Sequence, residues 1–352
     1  MSEEQSLTPT RVIALAGVRN LFAHHLLRQL PHLPNVEKVI AIDVAPLSAQ
    51  EPQVPKHPNI VPAHIDLTHP SSDRRLASLL REEGVDTLVH LSFLKQPVFD
   101  TVWSHELESI GTMHILNACA AVQLPKLVVR STSAVYGPKP RHPNFIREDH
   151  ELYNDKKIQF VADKVDAERQ IEKFAQWNRD TEVTVLRFCP IIGPNSTDFI
   201  MGYLSQMFPL RLLGRDPLIQ LLYEDDAVAA MKTALFGSFP GVFHIATEDV
   251  LPIRTVLRAF HSRGLTLPLS VASPLLNALW ILKLRNFPPG FLDFLRYLCV
   301  VDGSKARQVM DFVPELSTRQ ALHRYREYTG GGGLLRPVGH AGSTLWRRRT
   351  GV

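Results

Sequence analysis

A doubly wound parallel α/β sheet is the fold this chain predicts, on three observations. Apolar runs of strand length alternate with helix-length segments, a glycine-bearing turn follows the first run, and an aspartate closes the second. The runs are RVIALA (11–16), KVIAID (38–43), IVPAHID (60–66), DTLVHLS (86–92), KLVVRS (126–131) and EVTVLRF (182–188). Near-continuous Val/Ile/Leu runs suit strands buried on both faces, and intervening helices suit parallel pairing. A TIM barrel has the same periodicity but leaves the glycine turn and Asp43 without a role.

The composition sets the class. The 352 residues are 45% hydrophobic and 21% charged, enough to bury a large core in one bilobed unit. Cys119, Cys189 and Cys299 lie far apart with no Cys-x-x-Cys spacing, so neither a disulfide framework nor a bound metal is expected, and a reducing cytoplasmic setting fits. The polar start MSEEQSLTPT reads as neither a signal nor a transit peptide. The net charge of +4 is matched by Arg336, Arg347, Arg348 and Arg349 in an acid-free C-terminal stretch, which leaves a near-neutral body and little support for nucleic-acid binding. The longest apolar stretch, 271–282, is too short to span a bilayer and reads as a core or interface helix.

Each element then has a reading. Residues 1–10 read as a flexible start and 11–190 as a dinucleotide-binding domain. Residues 191–328 read as a smaller lobe over the carboxyl edge of the sheet, partly interleaved with the first domain, and 329–352 as a flexible basic tail. In the first turn, Gly17 lets the chain bend tightly and present helix amides to a pyrophosphate. Asn20, which tolerates the left-handed conformation better than most residues, and small Ala23 follow at spacings of three. Asp43 ends the second strand, where a carboxylate accepts the adenosine ribose hydroxyls and repels a phosphate, favouring NAD over NADP. His90 reads as packing. Asp225 and Asp226 are expected to cap a helix.

Three further segments, STSAVYG (131–137), Phe160 to Lys164 and RFCPIIGP (187–194), complete an ordered series with the glycine turn. In order and spacing over 11–328 the chain resembles the extended short-chain dehydrogenase/reductase family. Within it, the chain is similar to nucleotide-sugar epimerases and dehydratases, and to a bacterial UDP-glucose 4-epimerase-like subgroup in GRDPLIQLLYEDD and VVDGSKARQVMDFVPELS. The resemblance implies a Rossmann-like domain, NAD as cofactor, a small-molecule substrate such as a nucleotide sugar, and a homodimer built on helices around 100–122 and 158–178.

By the same resemblance, Gly17, Asn20, Ala23, Asp43, Asp66, Leu67, Leu91, Ser92, Lys164 and Pro190 line the cofactor. Thr132 holds the reacting oxygen, and Lys164 anchors the nicotinamide ribose beside a tyrosine. That tyrosine is replaced by Phe160, which has no ionisable proton, so the usual general base is absent. Ser133 and Ala134 stand where dehydratases carry Asp and Glu. Ile219 stands where many sugar-nucleotide enzymes place a phosphate-binding Arg, leaving Arg211 or Arg215 as substitutes. Tyr153, Tyr136 and Asp163 are the replacement bases suggested by sequence proximity, with Tyr136 more suited to packing. Three functions are then open: an epimerase-like enzyme with impaired or altered activity, a non-catalytic NAD-dependent sensor or scaffold, and a peripheral lipid- or steroid-modifying relative.

Overall fold

The fold comes from a computed structural model, which describes residues 11–44, 54–153, 155, 157–206, 208–260, 264–283 and 288–329. The sequence-expected flexible ends, residues 1–10 and all but the first residue of 329–352, lie outside these. A seven-stranded, all-parallel sheet forms the centre. Its strands are β1 (Arg11–Ala16), β2 (Val36–Asp43), β3 (Ile60–His64), β4 (Thr87–His90), β5 (Lys126–Thr132), β6 (Glu182–Phe188) and β7 (Gly241–Ile245), in spatial order β3-β2-β1-β4-β5-β6-β7. The order reverses between β1 and β4, and in open α/β sheets ligands bind at the carboxyl ends of the strands at such a switch point.

Alternate residues of each strand feed two apolar layers. Ile13 and Leu15 of β1 and Val128 of β5 face α1 (Leu21–Gln29). Val12, Ala14, Leu127 and Val129 face the other layer, where α2 (Ser72–Glu82) packs. Beside α2 runs α3 (Thr101–His105), continued through one π turn (Glu106–Ile110) into α4 (Gly111–Val122) and packed on α5 (Gln159–Trp177). These are the helices the sequence nominates for a dimer interface.

The sixth strand does not end the sheet. After α6 (Phe199–Leu204) and α7 (Glu224–Phe236) the chain returns through β7, pairing with β6 from Gly241↔Thr184 to Ile245↔Phe188. The remaining residues form α8 (Ile253–Ala259), α9 (Leu269–Ile281), α10 (Ser304–Met310) and α11 (Thr318–Tyr328), whose buried side chains join the same apolar layer as Ile13 and Leu15. The apolar stretch expected as a core or interface helix is α9, but only Ala272 and Leu276 of it are buried, while Leu269, Val271 and Leu275 are exposed. No helix among the described residues is long and apolar enough to cross a membrane.

Candidate active site

Gly17 adopts φ +101°, and a Cβ there would meet the backbone of Ser92 at 2.8 Å and of Leu91 at 2.9 Å. Only glycine allows the first turn to pass this close to the segment after β4. Asn20, expected to exploit left-handed backbone, instead sits extended at φ −143°, ψ 171° as the N-cap of α1. Its carbonyl accepts from Ala23 N–H at 3.0 Å, and its amide donates to Gly17 O at 2.6 Å and Leu91 O at 3.3 Å. The side chain closes the loop on itself: a cap replaces the conformational freedom of a glycine.

At the end of β2, Asp43 is buried but held in a fork by Arg19, with Nε 3.0 Å from Oδ1 and a second guanidinium nitrogen 2.5 Å from Oδ2. The sequence reading missed Arg19. Its signal was the parallel adjacency of β1 and β2, which brings the residue after one strand to the end of the next. Asp66 accepts from the backbone and hydroxyl of Thr68, while Leu67 is buried against Gly111. Leu91 N–H donates to Ala16 O at 2.8 Å, Ser92 hydroxyl lies 2.9 Å from His90 Nδ1, and Pro190 O accepts from Leu222 N–H. His90 is fully buried and its imidazole pKa is pushed down to about 3 by that burial, so it packs as a neutral ring.

Lys164 and Phe160 share one face of α5. The Lys164 ammonium lies 3.7 Å from the centroid of the Phe160 ring, which also lies 5.8 Å from the Phe291 ring. The same ammonium makes a 2.6 Å ion pair with Glu108 of the π turn, which also accepts from Leu94 N–H. Both charges are out of solvent, and Glu108 Oε2 has no partner among the described residues. Burial pushes the carboxyl up and the ammonium down, and the contact between them opposes both shifts. Sequence reasoning missed Glu108 because an acid inside a helical pattern reads as a solvated face. Thr132 ends β5 half-buried, its hydroxyl oxygen 3.2 Å from Ala134 N–H, and α5 packs against the short turn Ser133–Tyr136 that follows.

The three replacement bases have other duties. Tyr136 is fully buried, its hydroxyl 2.6 Å from His244 Nε2 and accepting from Arg187 at 2.6 Å. Burial raises its pKa, with Arg187 opposing. Arg187 also forks onto Glu168 and donates to Glu148 O, so one buried hub joins the turn after β5 to α5, β6 and β7. The Tyr153 ring covers Gly137, where a Cβ would lie 2.1 Å from it and φ is +63°. Asp163 is fully buried against His105 at 2.8 Å and Gln159 at 2.6 Å.

Asp225 and Asp226 do not cap α7. The helix starts one residue earlier, at Glu224, with no side-chain cap, and Asp226 accepts instead from Glu315 and Leu316 N–H. Ile219 is buried, pairing with Leu251. The Arg211 side chain runs against Gly264, and Arg215 lies 5.8 Å from the centroid of the Tyr297 ring.

The model of the NAD dependent epimerase/dehydratase family matches residues 13–245. This chain belongs to that family. An uncharacterized protein of Mycobacterium tuberculosis is 27% identical over 322 residues, covering 90% of this chain and 83% of that protein. Among solved structures, UDP-glucose 4-epimerase of Thermotoga maritima with UDP-glucose has a TM-score of 0.70 at 17% identity, covering 91% of this chain and 99% of that one. The dTDP-glucose 4,6-dehydratase of Bacillus anthracis in complex with NAD has a TM-score of 0.68 at 15% identity, covering 92% and 97%. The UDP-glucuronic acid 4-epimerase of Bacillus cereus with UDP-glucuronic acid and NAD has 0.67 at 18%, covering 91% and 99%. These likenesses establish the extended short-chain dehydrogenase/reductase fold.

Proposed function

We propose that this family member binds NAD in the crevice at the carboxyl ends of β1 and β4 and has lost the proton-transfer half of nucleotide-sugar epimerase chemistry. The donor set fits the dinucleotide. The Gly17 turn packs against the backbone of Ser92 and Leu91 so closely that any Cβ would collide, and Asp43, paired with Arg19, ends β2 at the ribose position. NAD, when bound, supplies a hydride acceptor and donor. Thr132 orients the substrate oxygen. Lys164 anchors the nicotinamide ribose, exchanging part of its contact with Glu108 for it. With nucleotide sugars the substrate class of its structural neighbours, a small carbinol-bearing substrate of that kind is the natural occupant beside it.

The observation that carries this reading is the Phe160 ring lying over the Lys164 ammonium. A phenyl face attracts the cation but can take no proton. Tyr136, Tyr153 and Asp163 are each committed to packing or hydrogen bonds, so none stands in as base. Phe160→Tyr tests the idea by restoring a phenol beside Lys164. A rise in NAD reduction across a panel of nucleotide sugars and secondary alcohols is the expected result, since general-base assistance is worth about 10² to 10⁴ in rate. A destabilised variant that still binds NAD and turns nothing over refutes it.

That refuting outcome defines the second reading, a non-catalytic NAD-dependent sensor or scaffold, which the Glu108–Lys164 pair favours because it satisfies the lysine without any ligand. The protein is proposed to act in the cytoplasm as a homodimer through the paired helices α3–α4 and α5, and light scattering on the purified chain checks the dimer.

A further inference from the structure

The helix α9 is apolar on two opposite faces. Its inner face buries Ala272 and Leu276 and half-buries Leu279, and the Trp280 ring lies 4.4 Å from that of Phe99 in the segment after β4. Its outer face is turned to solvent. There Val271, Leu275, Ala278 and Leu282 follow at the alternating three- and four-residue steps that align side chains along a helix, and Ile281 stands beside them. Val271 is 48% exposed, Leu275 40%, Ile281 76% and Leu282 65%, and no residue of α9 is charged. The contrast is α2, which packs one face on the sheet and turns Arg74, Arg75, Arg81 and Glu82 outward. A helix apolar all round belongs in a core or in lipid, and α9 is not in the core.

The charge around the helix narrows what can cover it. From Val250 to Leu292 the sequence carries Arg254, Arg258, Arg263, Lys283 and Arg285 and no aspartate or glutamate. Arg254 has Asp216, from outside the stretch, at 3.8 Å, and Arg258 and Lys283 are exposed. The short parallel ribbon that leads into α9, Leu210–Leu212 with Leu265–Leu267, adds exposed Leu213 and Leu265. A second copy of the chain docked here would set these cations against their own kind. An anionic bilayer answers both properties at once, taking apolar side chains at its acyl boundary and cations at its phosphates.

We propose that α9 seats the protein on an anionic phospholipid surface. The outer side chains Val271, Leu275, Ile281 and Leu282 enter the acyl boundary, and the cations of the acid-free stretch draw the helix to the headgroups. At 1.5 Å per residue α9 is about 20 Å long against a hydrocarbon core of roughly 30 Å, so it lies along the interface and does not cross it. The surface is separate from the chemistry assigned to Phe160 and Lys164 and holds whether or not NAD binds.

The test is co-sedimentation of the full chain with vesicles of equal parts phosphatidylcholine and phosphatidylglycerol, against vesicles of phosphatidylcholine alone. The chain binds the mixed vesicles at least about tenfold more tightly than the neutral ones, and added salt releases it. Leu275→Asp combined with Ile281→Asp, both at solvent-facing positions, weakens that binding by about tenfold or more and leaves the urea midpoint in place. As a check that needs no variant, amide exchange across residues 269–282 of the wild type slows when the mixed vesicles are added. The proposal is overturned if the wild type binds neither vesicle or both equally, or if exchange across 269–282 is unchanged. It is also overturned if the double variant binds as well as wild type, which would assign the binding to the arginines near the C-terminus. A fall in the molar mass of the double variant by light scattering without lipid overturns it as well, since the face then belongs to a second copy.

Discussion

Replacing Glu108 by Gln isolates the charge of the buried pair while keeping its shape. In the native chain a 2.6 Å contact compensates an ammonium that is 3% exposed and a carboxylate that is 1% exposed. Removing one partner of such a pair costs about 3–5 kcal/mol, because the other charge remains buried and unpaired. The glutamine oxygen still accepts from Lys164, and the Phe160 ring still faces the cation at 3.7 Å, so the loss falls at the lower end, about 3 kcal/mol. Urea unfolding at neutral pH reads it as a lower midpoint at unchanged slope.

The pH dependence has a definite sign. Burial holds the Lys164 pKa below its unfolded value, and the substitution removes the carboxylate that opposed that fall. Between the two values the unfolded chain binds more protons, so the variant gains stability as pH rises toward about 10. Over the same range the wild type is left with an unpaired buried carboxylate, and the gap between the two proteins closes. Replacing both partners with apolar residues, Glu108→Leu with Lys164→Met, brings stability back to wild type or above. The reasoning is refuted if Glu108→Gln is as stable as wild type at pH 7, or if its deficit does not shrink in alkali.

Gly17→Ala forces a Cβ to within 2.8 Å of the Ser92 backbone at φ +101°, and it abolishes NAD binding by calorimetry together with a lowered unfolding midpoint. NAD binds in preference to NADP, and Asp43→Ala weakens NAD and removes the carboxylate that repels a ribose phosphate, so the preference narrows or reverses; an unchanged ratio counts against Asp43 at the ribose. Purified wild type converts UDP-glucose to UDP-galactose at trace rates or not at all, and robust turnover in a coupled assay overturns the loss of the base.

The strands were legible because burial on both faces demands nearly unbroken apolar sequence, and five of the seven stand out in that way, while the edge strand β3 stands out by its sequence although only Ile60 of it is buried. β7 hid because its five residues include His244, a polar side chain made tolerable by the Tyr136 hydroxyl from a distant segment. The glycine turn was legible in position but not in mechanism, since nothing local distinguishes an asparagine in αL from one that caps a helix. Glu108 and Arg19 escaped for a common reason. Each derives its role from a partner on another element, Lys164 and Asp43, and a charge without its partner reads as solvated. The apolar run of α9, read as a core or interface helix, buries only Ala272 and Leu276 within the single chain.

The Arg187 hub separates the durability of the crevice wall from the chemistry performed beside it. Glu168, Tyr136 and Glu148 meet one guanidinium, and none of those bonds passes through Phe160 or Lys164. Substitutions at the reacting positions can therefore accumulate one by one without loosening the scaffold that aims them. A scaffold held this way lets a residue such as Phe160 be exchanged without refolding the strands and the helix around it.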